Sequence, residues 1–151
     1  MAGNYAAGEA ALLALIQTVT GYTSANTSRG KWGILNQGKS NTYVILKPGR
    51  FSGRQFVSPT CVQTTWSTVV QVWQRYKDDG SSLTDLEANM AAIMAKIDAD
   101  PNLADSTGAV LDSNLRSGEQ VQEMWRRGGG PAWLMWELNV EWIEQSIVTL
   151  V

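Results

Sequence analysis

From Trp133 to Val148 the chain changes character at nearly every step. Leu134, Trp136, Leu138, Val140 and Trp142 fall on one side of a two-residue period, and Met135, Glu137, Asn139 and Glu141 on the other. A helix would scatter that pattern around its circumference, whereas a pleated strand places one set on each face. The direct reading is a half-buried antiparallel strand. A second stretch, Cys61–Tyr76, consists almost entirely of β-formers. Val62, Thr64, Trp66, Thr68, Val70 and Val72 share one face, with Val69, Gln71, Trp73 and Arg75 on the other. It reads as a long strand with room for a bend near Ser67.

A sheet of such strands needs a cover, and two segments have helical spacing. In residues 6–20, Leu12, Leu15, Ile16 and Val19 lie on one face, and Gly21 is the expected stop. Farther on, Leu83, Leu86, Met90, Ile93, Met94 and Ile97 form an apolar stripe. Ser82 is the expected cap of that helix, with Asp85 answering three residues later, and Asp100-Pro101 ends it. The methionines read as core fillers rather than a cofactor box.

Asn41–Lys47 reads as a strand closed by a turn at Pro48-Gly49, with Arg50–Pro59 a connection in which Phe51 and Phe56 flank Gly53. Lys77-Asp78-Asp79-Gly80 makes a turn, 102–109 a loop, and Gly128–Pro131 another turn. Val110–Arg127 is mostly strand, interrupted by a bulge or kink at Ser117-Gly118. The order is α-β-β-α-β-β. That predicts an α+β fold in one domain, 1–151: a mixed or antiparallel sheet of about four strands with both helices on one face.

Residues 21–40 are dominated by Gly, Ser, Thr and Asn, with three basic residues. They are expected as a flexible loop, and deleting 24–38 within it is expected to leave the fold intact and to weaken assembly or joining. Trp32, Ile34 and Leu35 within it either order only on contact with a partner or tuck back onto the domain.

The length of 151 residues suits one domain with a sizeable core. Histidine is absent, which removes His-based acid–base catalysis, Ser-His-Asp and Cys-His sites and most zinc geometries. Cys61 is the single cysteine, so no internal disulfide forms and no multi-cysteine metal site exists. Asp78-Asp79 reads as solvated turn acid, and Glu137, Glu141 and Glu144 as acids on the solvent or partner side of the last strand. Asp98, Asp100 and Asp105 lack calcium-loop spacing, and Gly128–Gly130 is not followed by the helix of a phosphate loop. No catalytic residue, metal ligand or cofactor is expected, so the chain does not read as an enzyme.

No apolar run is long enough to span a membrane. The first residues, MAGNYAAGEAALLALI, lack a basic leader and carry Glu9. A protein that stays in the cytoplasm is therefore expected. A net charge of −2 argues against a general nucleic-acid binder, and no sequence-specific nucleic acid is expected as a partner. The charge is uneven: residues 1–60 carry six basic residues against Glu9 alone, and residues 61–151 carry six against thirteen acids. This is either an ordinary solvated surface or a subunit with one basic and one acidic side, suited to self-association.

Seven tryptophans are more than a domain of this size readily buries, and tryptophan is enriched at association surfaces. An open sheet face bearing Trp73 and Met135 is therefore expected. The candidate subunit or partner interface comprises Arg29, Lys31, Trp32, Arg50, Arg54, Trp73, Met135, Glu137 and Glu141.

The run MAAIMAKIDADPNLADSTGAVLDSNL, Met90–Leu115, resembles a pattern in tail-terminator and tail-completion proteins of long-tailed bacteriophages. There a helix with an Ile/Leu stripe enters an Asp-Pro-x-Leu stop, then a Gly-containing turn and a strand leading to a C-terminal hairpin. The matching residues are Ile93, Ile97, Asp100, Pro101, Leu103 and Gly108. The chain departs from that pattern in its 21–40 segment, in its Trp-rich last strands and at Ala104-Asp105. The resemblance implies a virion protein, assembled in the bacterial host cytoplasm as a homohexameric ring on the head-proximal end of the tail tube. Such a ring ends tube polymerisation and offers a head-joining surface, with DNA threading it. Its partners would be the tail tube protein and a head-completion or connector protein. A connector protein of the neck is the nearest rival. From another class, a cytoplasmic α+β module could hold an aromatic or sugar-like ligand on its Trp-rich face. A hydrolase using carboxylates alone ranks behind both.

Overall fold

The computed structural model describes residues 5–37, 39–77, 80–103, 110–125 and 132–147. The turns expected at Asp78-Asp79 and Gly128–Pro131, and most of the 102–109 loop including Asp105 and Gly108, lie outside the described residues. Along the chain come α1 (Tyr5–Ile16), β1 (Thr27–Arg29), α2 (Ile34–Gln37), β2 (Thr42–Ser58), β3 (Cys61–Arg75), α3 (Ser81–Ala99), β4 (Val110–Trp125) and β5 (Trp133–Ile147).

The fold is α+β on a mixed sheet. Its five strands are ordered β1-β2-β3-β5-β4. Only β1 and β2 run parallel; the other neighbours are antiparallel. Both elements beyond the expected six, β1 and α2, come from the segment 21–40. That segment is thus not a plain loop: Thr27–Arg29 pairs with Val44–Leu46, and the Gly30 amide continues the ladder to the Leu46 carbonyl at 3.0 Å.

The alternation in β3 and β5 sorts the side chains into two apolar layers. On one face, Val70 and Val72 of β3 with Leu134, Leu138, Val140 and Trp142 of β5 pack under Leu12, Leu15 and Ile16 of α1 and Leu86, Ile93 and Ile97 of α3. On the other face a smaller cluster joins Tyr43, Ile45, Trp73 and Trp133 beneath Leu35 of α2. The first layer matches the period-two reading. The second exists because α2 folds back over one end of the sheet.

Several expected boundaries move for local physical reasons. Helix α1 stops at Ile16 rather than at Gly21. Thr18, Val19 and Thr20 are β-branched, and the Thr18 hydroxyl donates to the Leu15 carbonyl at 2.6 Å, which competes with helix continuation. Strand β2 runs straight through Pro48-Gly49 to Ser58, with irregularities at Lys47/Arg50, Phe51/Gly53 and Phe56/Ser58. Because β1 pairs only as far as Leu46, β2 is a sheet edge from Lys47 onward, where proline's missing N–H is tolerated. Gly49 serves close approach rather than a turn: the Tyr5 hydroxyl and the Ser67 carbonyl occupy the place of its β-carbon.

The bend expected in β3 near Ser67 is instead an irregularity in β2 opposite it, since β3 keeps unbroken register with β5 from Cys61 to Arg75. Ser82 does not cap α3. Gly80, at φ 77°, takes that position, and the Ser82 hydroxyl accepts from the Lys77 amide at 2.5 Å from inside the first turn. Leu83 leaves the expected stripe and is exposed, while Leu86, Ile93 and Ile97 are buried. The helix does end before Asp100-Pro101. Leu103 then turns its side chain into the core at a φ of 55°, a region few non-glycine residues adopt. In β4 the register slips between Leu115 and Ser117, one step before the expected site.

Candidate assembly surfaces

Beyond Leu46 the β2–β3 hairpin forms a basic and apolar arm of the sheet, its outer strand β2 an unpaired edge and β3 still paired with β5. Arg50, Phe51, Arg54, Phe56 and Val57 are all exposed on β2. Phe56 is 65% and Phe51 60% solvent-accessible, the two largest exposures among the bulky apolar side chains of the described residues. At the root of the arm Phe51 meets Trp66 edge-to-face at 6.0 Å. Trp66 in turn packs on Tyr5 and Trp142, so the arm grows from an aromatic block. Water contact of this kind on two phenylalanines marks an association surface more than a stable free one. Reading Arg50–Pro59 as a connection concealed these phenylalanines. The signal that could have found them is that no Asp or Glu occurs from Ala10 to Lys77.

At the opposite edge of the sheet, α3 and the β4–β5 pair enclose an apolar groove of about 250 Å³. Its walls are Met90, Met94, Leu115, Trp136 and Leu138, with Ser117-Gly118 at the lip. A β-carbon on Gly118 would crowd Leu138 at 2.8 Å and the Trp136 ring nitrogen at 3.1 Å, so glycine keeps that wall thin. Glu87 and Asp98 are exposed on α3, on the side where Met90 and Met94 emerge from the stripe. Neither the groove nor its acids were among the expected interface residues.

The nine expected interface residues divide into separate groups. Arg50 and Arg54 lie on the arm. Arg29 pairs with Glu9, which is 3% exposed, so its charge is used within the subunit to hold β1 against α1. Lys31 is exposed beside it and lines a shallow depression with Arg29 and Ile34. Trp73 is not on an open face: it is 5% exposed inside the second apolar layer. Trp32 and Met135 pack on the same layer, and the Trp32 indole donates to Gln71 at 2.7 Å. Leu35 and Trp32 thus tuck back onto the domain. Glu137 and Glu141 are half-buried on the far face of β5, opposite Gln71 and Ser67. Glu144, expected beside them, lies on the helix-bearing face at 1% exposure, where it accepts from the Trp66 indole at 3.3 Å. Even-numbered residues of β5 point inward, and Glu144 follows the parity.

No group of three potential metal-ligating side chains occurs among the described residues. No described helix is long and apolar enough to cross a membrane. The Cys61 thiol is free and half-buried. Burial pushes the hydroxyls of Tyr5 and Tyr22 up to about 12. They serve as hydrogen-bonding groups, to Thr68 at 2.9 Å and to Thr42 at 2.7 Å. No protein-family model matches the chain, and neither does any curated protein.

Proposed function

We propose that this chain is a structural subunit that assembles with copies of itself, and that the assembly is the ring capping the head-proximal end of a long-tailed phage's tail tube. The observation that carries the self-assembly reading is the open edge of β2, on which Phe51, Phe56 and Val57 stand in solvent with Arg50 and Arg54 on the same stretch of strand. An isolated domain gains nothing by exposing them. The specific assignment to a tail terminator rests on the resemblance of Met90–Leu115. In that role the ring ends polymerisation of the tube protein and receives a head-completion or connector protein. The rival ligand-binding reading needs an accessible Trp-rich face, and Leu35 and Trp32 of the chain itself cover Trp73 and Trp133.

Light-scattering mass over a concentration series, with negative-stain images, tests assembly. The expected result is closed rings of about six subunits, the number the resemblance implies, which a heterologous interface closes when its rotation fits. Addition to polymerising tube protein then tests the role: tubes of limited length, each with a ring at one end, are expected. Rings that leave tube growth unchanged and bind only head-proximal neck proteins would favour the connector assignment.

A further inference from the structure

The geometry points to a specific subunit contact: the β2–β3 arm of one copy seats in the α3/β4–β5 groove of the next. This inference rests on the self-assembly reading and names the surfaces that carry it. Four observations converge. First, the arm and the groove lie toward opposite edges of the sheet, because the strand order puts β2 near one edge and β4 at the other. Each subunit would therefore offer one of each, and a chain of such contacts is heterologous and able to close as a ring. An isologous dimer would instead need one patch that complements itself.

Second, the charges are opposite. The arm carries Arg50 and Arg54, and the hairpin bears no acid. The groove side of α3 carries Glu87 and Asp98, both exposed. Such pairing fixes register and suppresses the like-with-like alternatives, arm on arm or groove on groove.

Third, the sizes agree. A dry cavity of roughly 150 Å³ accepts a benzene ring, and the groove offers about 250 Å³ with apolar walls. One phenylalanine ring fits with space for the adjoining chain. Phe56, the more exposed of the two, is the ring in question; Phe51 is already engaged with Trp66. Fourth, two of the walls are methionines, Met90 and Met94, whose unbranched side chains adapt to an incoming aromatic group and make favourable sulfur–ring contacts.

Two measurements test the contact. In a Cys61→Ser background, copies bearing Phe56→Cys are mixed with copies bearing Met94→Cys and mildly oxidised. A disulfide-linked pair of unlike copies is expected, and neither variant alone should link. In the second, Arg50→Glu with Arg54→Glu is expected to reduce the light-scattering mass to that of a monomer while circular dichroism stays unchanged, because both residues are exposed. Adding Glu87→Arg with Asp98→Arg should restore the assembled mass. A loss caused merely by damaged folding would not be restored by charges on another element. If the wild-type chain assembles but the swap has no effect and the cysteines do not link, the arm–groove contact is overturned and self-assembly stands. A wild-type chain that remains monomeric at every concentration overturns both.

Discussion

The backbone of Gly8 rests on the indole of Trp142 so closely that a β-carbon at residue 8 would lie within the ring's own space. Helix α1 thereby approaches the sheet over the largest fully buried aromatic on its helix-bearing face. Alanine is ordinarily the better helix former by about 1 kcal/mol. At this position the sign reverses: Gly8→Ala is expected to destabilise by roughly 1–3 kcal/mol, the usual range for overpacking. Urea melts of the variant against wild type give the answer directly, and a stabilised variant would mean that α1 can lift off Trp142 without loss.

Trp142 is completely buried, whereas Trp136 is half-buried at the groove. Trp142→Ala should cost roughly 3–5 kcal/mol. Trp136→Ala should cost clearly less in the isolated subunit. Equal losses in denaturant would show that the groove is closed over Trp136 in solution.

Glu9 is the one acid before residue 78, and its charge is buried with Arg29 as its counterion. Removing that partner leaves a buried carboxylate. Arg29→Met is expected to cost roughly 1–3 kcal/mol at neutral pH, since Arg29 itself is half-exposed and water relieves part of the penalty. The double variant Arg29→Met with Glu9→Gln should recover much of it. A double-mutant cycle with no coupling would place the two groups apart.

By composition residues 24–38 read as dispensable for the fold, and the packing of Leu35 reverses that expectation. Leu35 is fully buried over Trp73 and Trp133. Leu35→Ala is expected to cost roughly 2–5 kcal/mol. Deleting 24–38 removes β1 as well and should lower thermal stability further, with an increase in dye binding as the second apolar layer is uncovered. Retention of the wild-type melting temperature in the deletion would restore the loop reading.

Tyr22 and Tyr5 hold their protons more tightly folded than unfolded, through burial. The unfolded hydroxyls ionise near pH 10. Stability from both groups is therefore complete below pH 10 and is lost as pH rises toward 12. Alkaline melts should show this decline, and Tyr22→Phe should make it shallower. An equally steep decline in Tyr22→Phe would assign it to other groups.

What the sequence discloses here tracks how local the governing physics is. The faces of β3 and β5 follow from parity alone, down to the burial of Val70, Val140 and Trp142. The α3 stop follows from proline. Parity also predicts an inward Glu144, against the usual placement of a carboxylate in solvent, and the Trp66 indole meets it there. Pro48-Gly49 reads as a turn because nothing nearby discloses that β1 ends opposite Leu46 and leaves β2 an edge. Trp73 and Leu35 are 38 positions apart, and their meeting depends on a segment whose composition resembles a loop. The arginines of the arm are visible as charge. Their apolar companions and the receiving groove become visible only once the hairpin and α3 are placed.

The strand order has a consequence for synthesis. β5 lies between β3 and β4 yet is translated after both. As the chain leaves the ribosome, the inner edge of β3 and one side of β4 must wait unpaired until residues through Ile147 emerge, and only then can Val140 and Trp142 close the layer beneath α1 and α3. Until that moment the nascent protein presents two open strand edges and a bare apolar face. Any truncation before β5 leaves a polypeptide with the edges of a sheet and no middle, a form built to aggregate rather than to fold.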